Sequence, residues 1–178
     1  APGLDDTNAE RRALEEIHAL AWRARGSERK LRALRRLLSR SVESAIVFTE
    51  YRDTLATLER VLTGLGTCQL HGGLTNAERA SVIRRFTRGD CGILLATDAA
   101  SEGLNLQARC RLVVHLEVPW TPTRIEQRVG RVDRIGQSRT VHQIVFVARD
   151  TVEESRVADV ARRTLRAAAA LDVVAVAA

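Results

Sequence analysis

Apolar residues along this chain switch between two spacings, and the switches divide it into helices and strands. Leu14, Ile17, His18, Leu20 and Ala21, then Leu31, Leu34, Leu37 and Leu38, recur at three- and four-residue intervals, which predicts helix over residues 8–40. Gly26-Ser27 interrupts that pattern and supplies a stop and a new cap, so two helices are expected. Ala45 to Thr49 is short, apolar and β-branched, as a strand covered on both faces must be. Leu55, Leu58, Val61, Leu62 and Leu65 predict a helix ended by Gly64 and Gly66, and Thr67 to Leu70 a second strand broken at His71-Gly72-Gly73. Thr75 and Glu78 form a capping box that opens a helix through Val82, Ile83 and Phe86, stopping near Gly89. Gly92 to Ala96 is the third strand, ending in Thr97-Asp98, and a glycine-containing loop, Ser101 to Gln107, leads to a fourth, Leu112 to Leu116. Thr121 is the expected N-cap of the next helix, with Pro122 at its first position; that helix is read as continuing through Arg134. Val141 to Val147 is the fifth strand, and Thr151 to Glu154 caps a last, Ala-rich helix.

Strands alternating with helices specify a parallel sheet with helices on both faces. The expected fold class is therefore α/β, three layers around a mainly parallel sheet, preceded by connector helices. Residues 1–40 are taken as the connector and 41–178 as the domain. Ligands of such sheets gather at the C-terminal ends of the strands, so the loops after the third and fourth strands are where chemistry is sought.

Composition narrows the classes. With 178 residues, 45% hydrophobic and 28% charged, the chain has the make-up of one globular domain. No apolar run approaches the roughly 18 residues that span a bilayer, so no membrane partner is expected. The N-terminus lacks a secretory pattern and an initiator Met, so the chain is read as a fragment of something longer. Cys68, Cys91 and Cys110 lie far apart; Cys68 and Cys91 are read as small buried hydrophobes, no metal site is expected, and the pattern favours a reduced, cytoplasmic setting. Of the 28 basic residues, 27 are Arg and one is Lys30, and the net charge is +6. That charge fits a solvated surface or a phosphate-binding one, and composition does not choose.

Gln127, Arg131 and Arg134 stand at i, i+4 and i+7, which on a helix is one face. Two guanidinium groups there need an anionic partner, either a phosphate or a structural carboxylate from Asp133, Glu126 or Glu102. Three segments occur in order: Thr97-Asp98-Ala99-Ala100-Ser101-Glu102-Gly103-Leu104-Asn105-Leu106-Gln107, then Pro119-Trp120-Thr121-Pro122, then Gln127-Arg128-Val129-Gly130-Arg131-Val132-Asp133-Arg134-Ile135-Gly136-Gln137. Together they resemble motifs V and VI of superfamily-two helicases, in the form typical of the Swi/Snf branch. Ala45 to Tyr51 resembles motif IV, His71-Gly72-Gly73 the adjoining family turn, and Ser27 to Leu38 the connector helix entering this lobe. The Gly130 to Gln137 run looks most like the bacterial RNA-polymerase-associated translocase branch and its phage-defence relatives.

The resemblance implies a RecA-like fold and a C-terminal motor lobe. It implies that Arg131 and Arg134 are the motif VI arginines that reach ATP's γ-phosphate across the lobe interface, a device worth roughly 10³ to 10⁵ in rate. Gln127 falls on a motif VI position, and Gly103 and Asn105 fall where motif V approaches the nucleotide sugar; a plain tight turn is the lesser alternative for Gly103. Thr49, Thr97, His71, Gly72 and Gly73 sit at strand ends with donors suited to phosphate oxygens. Arg84 and Arg85 either follow the phosphate backbone or form a solvated face. Aromatic residues are only 3% of the chain, which disfavours base stacking and favours duplex backbone.

No phosphate-cradling Gly-x-x-x-x-Gly-Lys loop and no magnesium-holding acidic segment are present. ATP and its magnesium are therefore expected to be held by the N-terminal RecA-like lobe of the same polypeptide, and the fragment alone is expected to be inactive. Expected partners are double-stranded DNA, that first lobe, and RNA polymerase or another protein complex, in a bacterial cytoplasm. The alternatives are a lobe of a strand-separating DNA or RNA helicase, or a non-catalytic binding domain of the same fold.

Overall fold

A computed structural model describes residues 6–24, 29–101, 103–155, 157 and 173–177. Two helices open the chain, α1 (Thr7–Ala24) and α2 (Arg29–Arg40). Strand β1 (Ala45–Thr49), helix α3 (Arg52–Val61), β2 (Thr67–Leu70), α4 (Asn76–Arg88) and β3 (Ile93–Thr97) follow. A single helical turn, α5 (Asp98–Ser101), precedes β4 (Leu112–His115), α6 (Pro122–Val129), β5 (His142–Val147) and β6 (Val173–Ala177). The strands form one six-stranded sheet in the order β2-β3-β1-β4-β5-β6, with every pairing parallel.

The α/β class follows from period-two alternation inside apolar strands. Ile46, Leu94 and Val113 point to one face with Phe86 of α4 and Ile125 and Val129 of α6. Val47, Leu95 and Val114 point to the other, against Leu34 and Leu38 of α2 and Leu55, Leu58 and Leu62 of the α3 region. Each wholly buried Leu is worth roughly 1.5–3 kcal/mol in transfer free energy. Helix α2 thus contributes to the lobe's core, whereas Leu14, Ile17 and Leu20 of α1 are exposed. The capping box forms as the spacing predicts, Thr75 Oγ1 accepting from Glu78 N while Glu78 accepts from Thr75 N. Gly89 then closes α4 in the left-handed region at φ 92°.

Two expectations are corrected and two are filled in. The motif VI helix does not run through Arg134: α6 stops at Val129, and Gly130 to Asp133 form tight turns in which Val132 N donates to Val129 O (2.8 Å). The carbonyl of Arg131 accepts from Leu106 N at 3.0 Å, so tertiary pairing replaces helix continuation there. Thr121 is the N-cap of α6 with Pro122 at its start, as expected, though its side chain makes no capping hydrogen bond. The terminal apolar run, not assigned an element, is strand β6 beside β5. Cys68 and Cys91 are not independent hydrophobes but are disulfide-bonded, Cα to Cα 6.1 Å, because β2 pairs with β3 and brings residues 23 apart together. Gly26-Ser27, the side chain of Trp22, Glu102 and most of the Ala-rich last helix lie outside the described residues.

Candidate functional site

The chain passes from β1 out to the β2 edge, back to β3, then across β1 to β4, so the C-terminal ends of β3, β1 and β4 lie side by side. Thr49 is level with Thr97, and Phe48 with His115. Over these ends opens a cavity of about 570 Å³ lined by Glu50, Arg52, Thr97, Asp98, Ala99, Arg124, Gln127, Arg128 and Arg131. Four arginines face two carboxylates, a surplus of positive charge at the place where an open sheet binds ligands.

Two of those arginines are committed to the fold. Arg128, 2% exposed, donates through Nε to Asp98 Oδ1 at 2.6 Å and through Nη2 to Oδ2 at 2.8 Å. Its Nη1 lies 3.2 Å from His115 Nδ1, and the guanidinium sits 5.3 Å from the Phe48 ring centroid. A guanidinium only donates, so Nδ1 of His115 is the acceptor and its proton resides on Nε2, which has no partner among the described residues. Burial, with Arg128 beside it, pushes the His115 pKa down to about 3, so the ring is neutral. Arg124, also on the cavity lining, bridges Glu50 at 3.2 Å and Asp98 Oδ2 at 3.7 Å.

Gln127 and Arg131 make no side-chain hydrogen bond or ion pair among the described residues. Arg131 is half-buried, Gln127 is exposed, and both line the cavity. Neither Asp133 nor Glu126 pairs with Arg131 or Arg134, and no described carboxylate forms an ion pair with them. Arg134 is exposed and lies outside the cavity lining; its Nη1 donates to Asn105 Oδ1. Gly103 has φ 74° in an open position, a conformation that a residue with a Cβ adopts at a cost. Gln137 Nε2 donates to Gln107 O at 2.9 Å and Cys110 O at 3.0 Å, fastening the motif V loop to the turn after α6.

The residues expected to meet nucleic acid separate into four groups. Thr97 lines the cavity. Thr49 does not offer its hydroxyl: it is fully buried and donates to Glu117 Oε1 at 2.9 Å. Glu117 also accepts from Glu50 N, and burial raises its carboxyl pKa despite these bonds. The His71-Gly72-Gly73 turn borders the cavity: a Cβ on Gly73 would come within 2.9 Å of the Arg52 guanidinium, and one on Gly72 within 4.0 Å of Ala99. Within the turn, Gly73 N donates to His71 Nδ1 at 3.1 Å. Arg84 and Arg85 are exposed but sit about 12 Å down α4 from its start at the ligand edge, so they are not brought to the cavity.

Sequence reasoning overlooked Arg128, Asp98 and His115, although one signal was available. Ile125, Arg128, Val129 and Val132 follow the buried stripe of α6 and its turn, and an arginine on an apolar stripe requires a buried acceptor.

The motif V and VI residues that line this cavity fall inside a match to the helicase conserved C-terminal domain that spans residues 29–136, more than half of the chain. The chain belongs to that family. It is the RecA-like C-terminal lobe of a superfamily-two helicase. An uncharacterized ATP-dependent helicase of Bacillus subtilis, YqhH, is 37% identical over 120 residues, 66% of this chain and 21% of that protein. The RNA polymerase-associated protein RapA of Yersinia pestis is 34% identical over 122 residues, 66% of this chain and 12% of RapA. The ATP-dependent RNA helicase DBP3 of Meyerozyma guilliermondii is 31% identical over 142 residues, 79% of this chain and 26% of DBP3. The chain thus spans about a quarter or less of these relatives. Among solved structures, the C-terminal part of the Fun30 ATPase domain superposes with TM-score 0.66 at 26% identity, over 71% of this chain and 43% of that one. A DEAD box protein from Methanococcus jannaschii has the same fold, with TM-score 0.70 at 24% identity over 84% of this chain and 39% of that one.

Proposed function

We propose that this lobe is the second motor half of an ATP-dependent double-stranded DNA translocase of the Swi/Snf type. Its closure on a first lobe would carry Arg131 and Gln127 toward the γ-phosphate of a nucleotide held by that lobe, with Arg134 and Asn105 at the nucleotide's flank. The observation that carries the reading is the cavity over β1 and β3: Arg128 consumes Asp98 inside the fold, and Arg131 is left facing the opening without a described carboxylate. An unpaired, half-buried guanidinium is costly unless an anion completes it, and a phosphate accepts its forked donors in two places at once. The residues present suit one end of a triphosphate. Magnesium and the remaining phosphates belong, on this reading, to the first lobe, and the lobe alone does not turn over ATP.

Similarity to RapA and Fun30 favours the duplex-translocating branch, with RNA polymerase or another large complex as cargo. Similarity to DBP3 favours a second reading, a strand-separating helicase acting on RNA or DNA. A connector ahead of the lobe, with α2 counted in the lobe because Leu34 and Leu38 pack in its core, a bacterial cytoplasmic setting and backbone contacts from Thr97 and the His71 to Gly73 turn belong to the same proposal. The test is Arg131→Ala in the full-length protein. DNA-stimulated ATP turnover is expected to collapse while nucleotide affinity falls much less; unchanged turnover refutes the reading. A strand-displacement assay then separates the two branches, because a translocase moves along duplex without releasing a strand.

A further inference from the structure

Helix α2 carries a basic feature that the cavity does not use. Arg29, Arg32, Arg36 and Arg40 follow one another at three, four and four residues, so they lie along one face, and all four are exposed. The 12 residues Arg-Lys-Leu-Arg-Ala-Leu-Arg-Arg-Leu-Leu-Ser-Arg contain no carboxylate. The rest of the helix is accounted for by the fold. Leu34 and Leu38 are buried in the core. Lys30 donates to Leu116 O at 3.1 Å and to Glu153 at 2.5 Å, and Arg35 donates to the Val61 and Thr63 carbonyls at the end of α3. None of the four stripe arginines forms an ion pair with a described residue. Arg32 with Arg36, and Arg36 with Arg40, are like charges at i, i+4, which weakens a helix. Packing alone requires none of them.

We propose that this stripe is a second phosphate-binding track for a nucleic-acid duplex, running away from the ligand edge along one flank of the lobe. The Lys30 bond to Leu116, directly beyond β4, ties the start of α2 to that edge, and Arg40 lies at the opposite edge, before β1. Arg29 to Arg40 rises about 16 Å at 1.5 Å per residue, the length of about five base pairs at 3.4 Å each. Guanidinium forks match phosphate oxygens, and α2 has no aromatic side chain on which unpaired bases could stack. An acidic protein surface fits less well, because stable protein interfaces centre on buried apolar or aromatic anchors and the stripe exposes none. The inference rests on the duplex-binding reading above.

The test uses the full-length protein with R29Q, R32Q, R36Q and R40Q combined; glutamine keeps helix propensity close to that of arginine. Duplex affinity is measured across a salt series together with ATP turnover in the absence of DNA. The slope of log affinity against log salt is expected to shrink by about 0.9 for each phosphate no longer neutralised, roughly two to four in all, with basal turnover unchanged. The corresponding Arg→Lys variant should keep most of the slope. If the quadruple variant misfolds by circular dichroism, R36Q alone is read for a decrease of about 0.9. A wild-type protein that binds duplex with a slope the Gln variants do not alter overturns the stripe while leaving the motor reading intact. A wild-type protein that binds no duplex overturns both. Loss of an acidic protein partner with an unchanged salt slope overturns the stripe as a phosphate track.

Discussion

The sheet carries an arginine–carboxylate network at each edge, and the two are built differently. Where the strands begin, Glu43 accepts from Arg111 Nη2 through one oxygen at 3.0 Å and from Arg139 Nη1 through the other at 3.3 Å. The hydrogen bond from Arg111 holds the Glu43 carboxyl below its usual range. The cavity of about 260 Å³ beside it is largely apolar, lined by Leu37, Leu112 and Ile144 together with Glu43, Arg111 and His142. Where the strands end, Asp98 accepts from the buried Arg128 through both oxygens and also meets Arg124, while Arg131, three residues after Arg128, pairs with no described carboxylate. One carboxylate shared by two cations makes a strut. Two carboxylates, Glu50 and Asp98, taken up by Arg124 and Arg128 beside a third arginine with no described carboxylate leave a charge that a ligand can complete.

The contrast can be broken in order of expected effect. Arg131→Ala should lower ATP turnover of the full-length protein by about 10³-fold or more while leaving thermal unfolding within about 0.5 kcal/mol of wild type. Steady-state kinetics beside a melt of the same sample checks this, and a large loss of stability would make Arg131 structural. Arg128→Ala should do the reverse. Removing one member of a buried pair costs about 3–5 kcal/mol, read as a large drop in melting temperature, because Asp98 and His115 lose their partner together; an unchanged melt would show that the pair is not a structural element.

Acidification probes the same anchor. The folded-state pKa of His115 is about 3 against an ordinary 6.5, so between those values the unfolded chain binds the extra proton and the native one does not. The stabilisation is full above about pH 6.5 and declines as pH falls toward 3. Wild type should therefore lose more stability between pH 7 and pH 5 than His115→Gln, and equal losses would contradict a neutral, buried ring. The smallest effect belongs to the opposite edge. Glu43→Gln should shift the melting temperature least, and added salt should reduce the shift, since pairs open to solvent on one side are screened. A Glu43→Gln melt as low as that of Arg128→Ala would remove the distinction between the two edges.

Much of the fold is legible in the sequence because its signals are local. Apolar β-branched runs mark β1, β3 and β4; the Thr75–Glu78 reciprocal bond and Gly89 delimit α4; each depends on residues a few positions apart. Expectation and structure part where distant partners override local preference. Nothing nearby stops α6 at Val129 except Gly130, and it is Leu106 N, drawing on the Arg131 carbonyl, that holds the following turn out of helical register. Arg131 and Arg134 consequently part company, one to the cavity and one to Asn105. Strand β6 is itself a short Val-rich run, and its pairing with β5 is what places it in the sheet. Thr49 reads as a donor to phosphate because its position at a strand end is visible in the sequence, whereas Glu117, 68 residues away, is not.

By itself, the sequence determined which class of fold this chain adopts, which loops meet at the ligand edge, and which family its motifs belong to, because periodicity, caps and motif spacing are properties of contiguous residues. Tertiary structure alone decided which of three neighbouring arginines anchors, which faces the cavity and which turns aside. That choice depends on where Asp98, His115 and Asn105 arrive in space. An arginine's role is set by the acceptors within about 3 Å of its nitrogens, and no spacing along the chain encodes them.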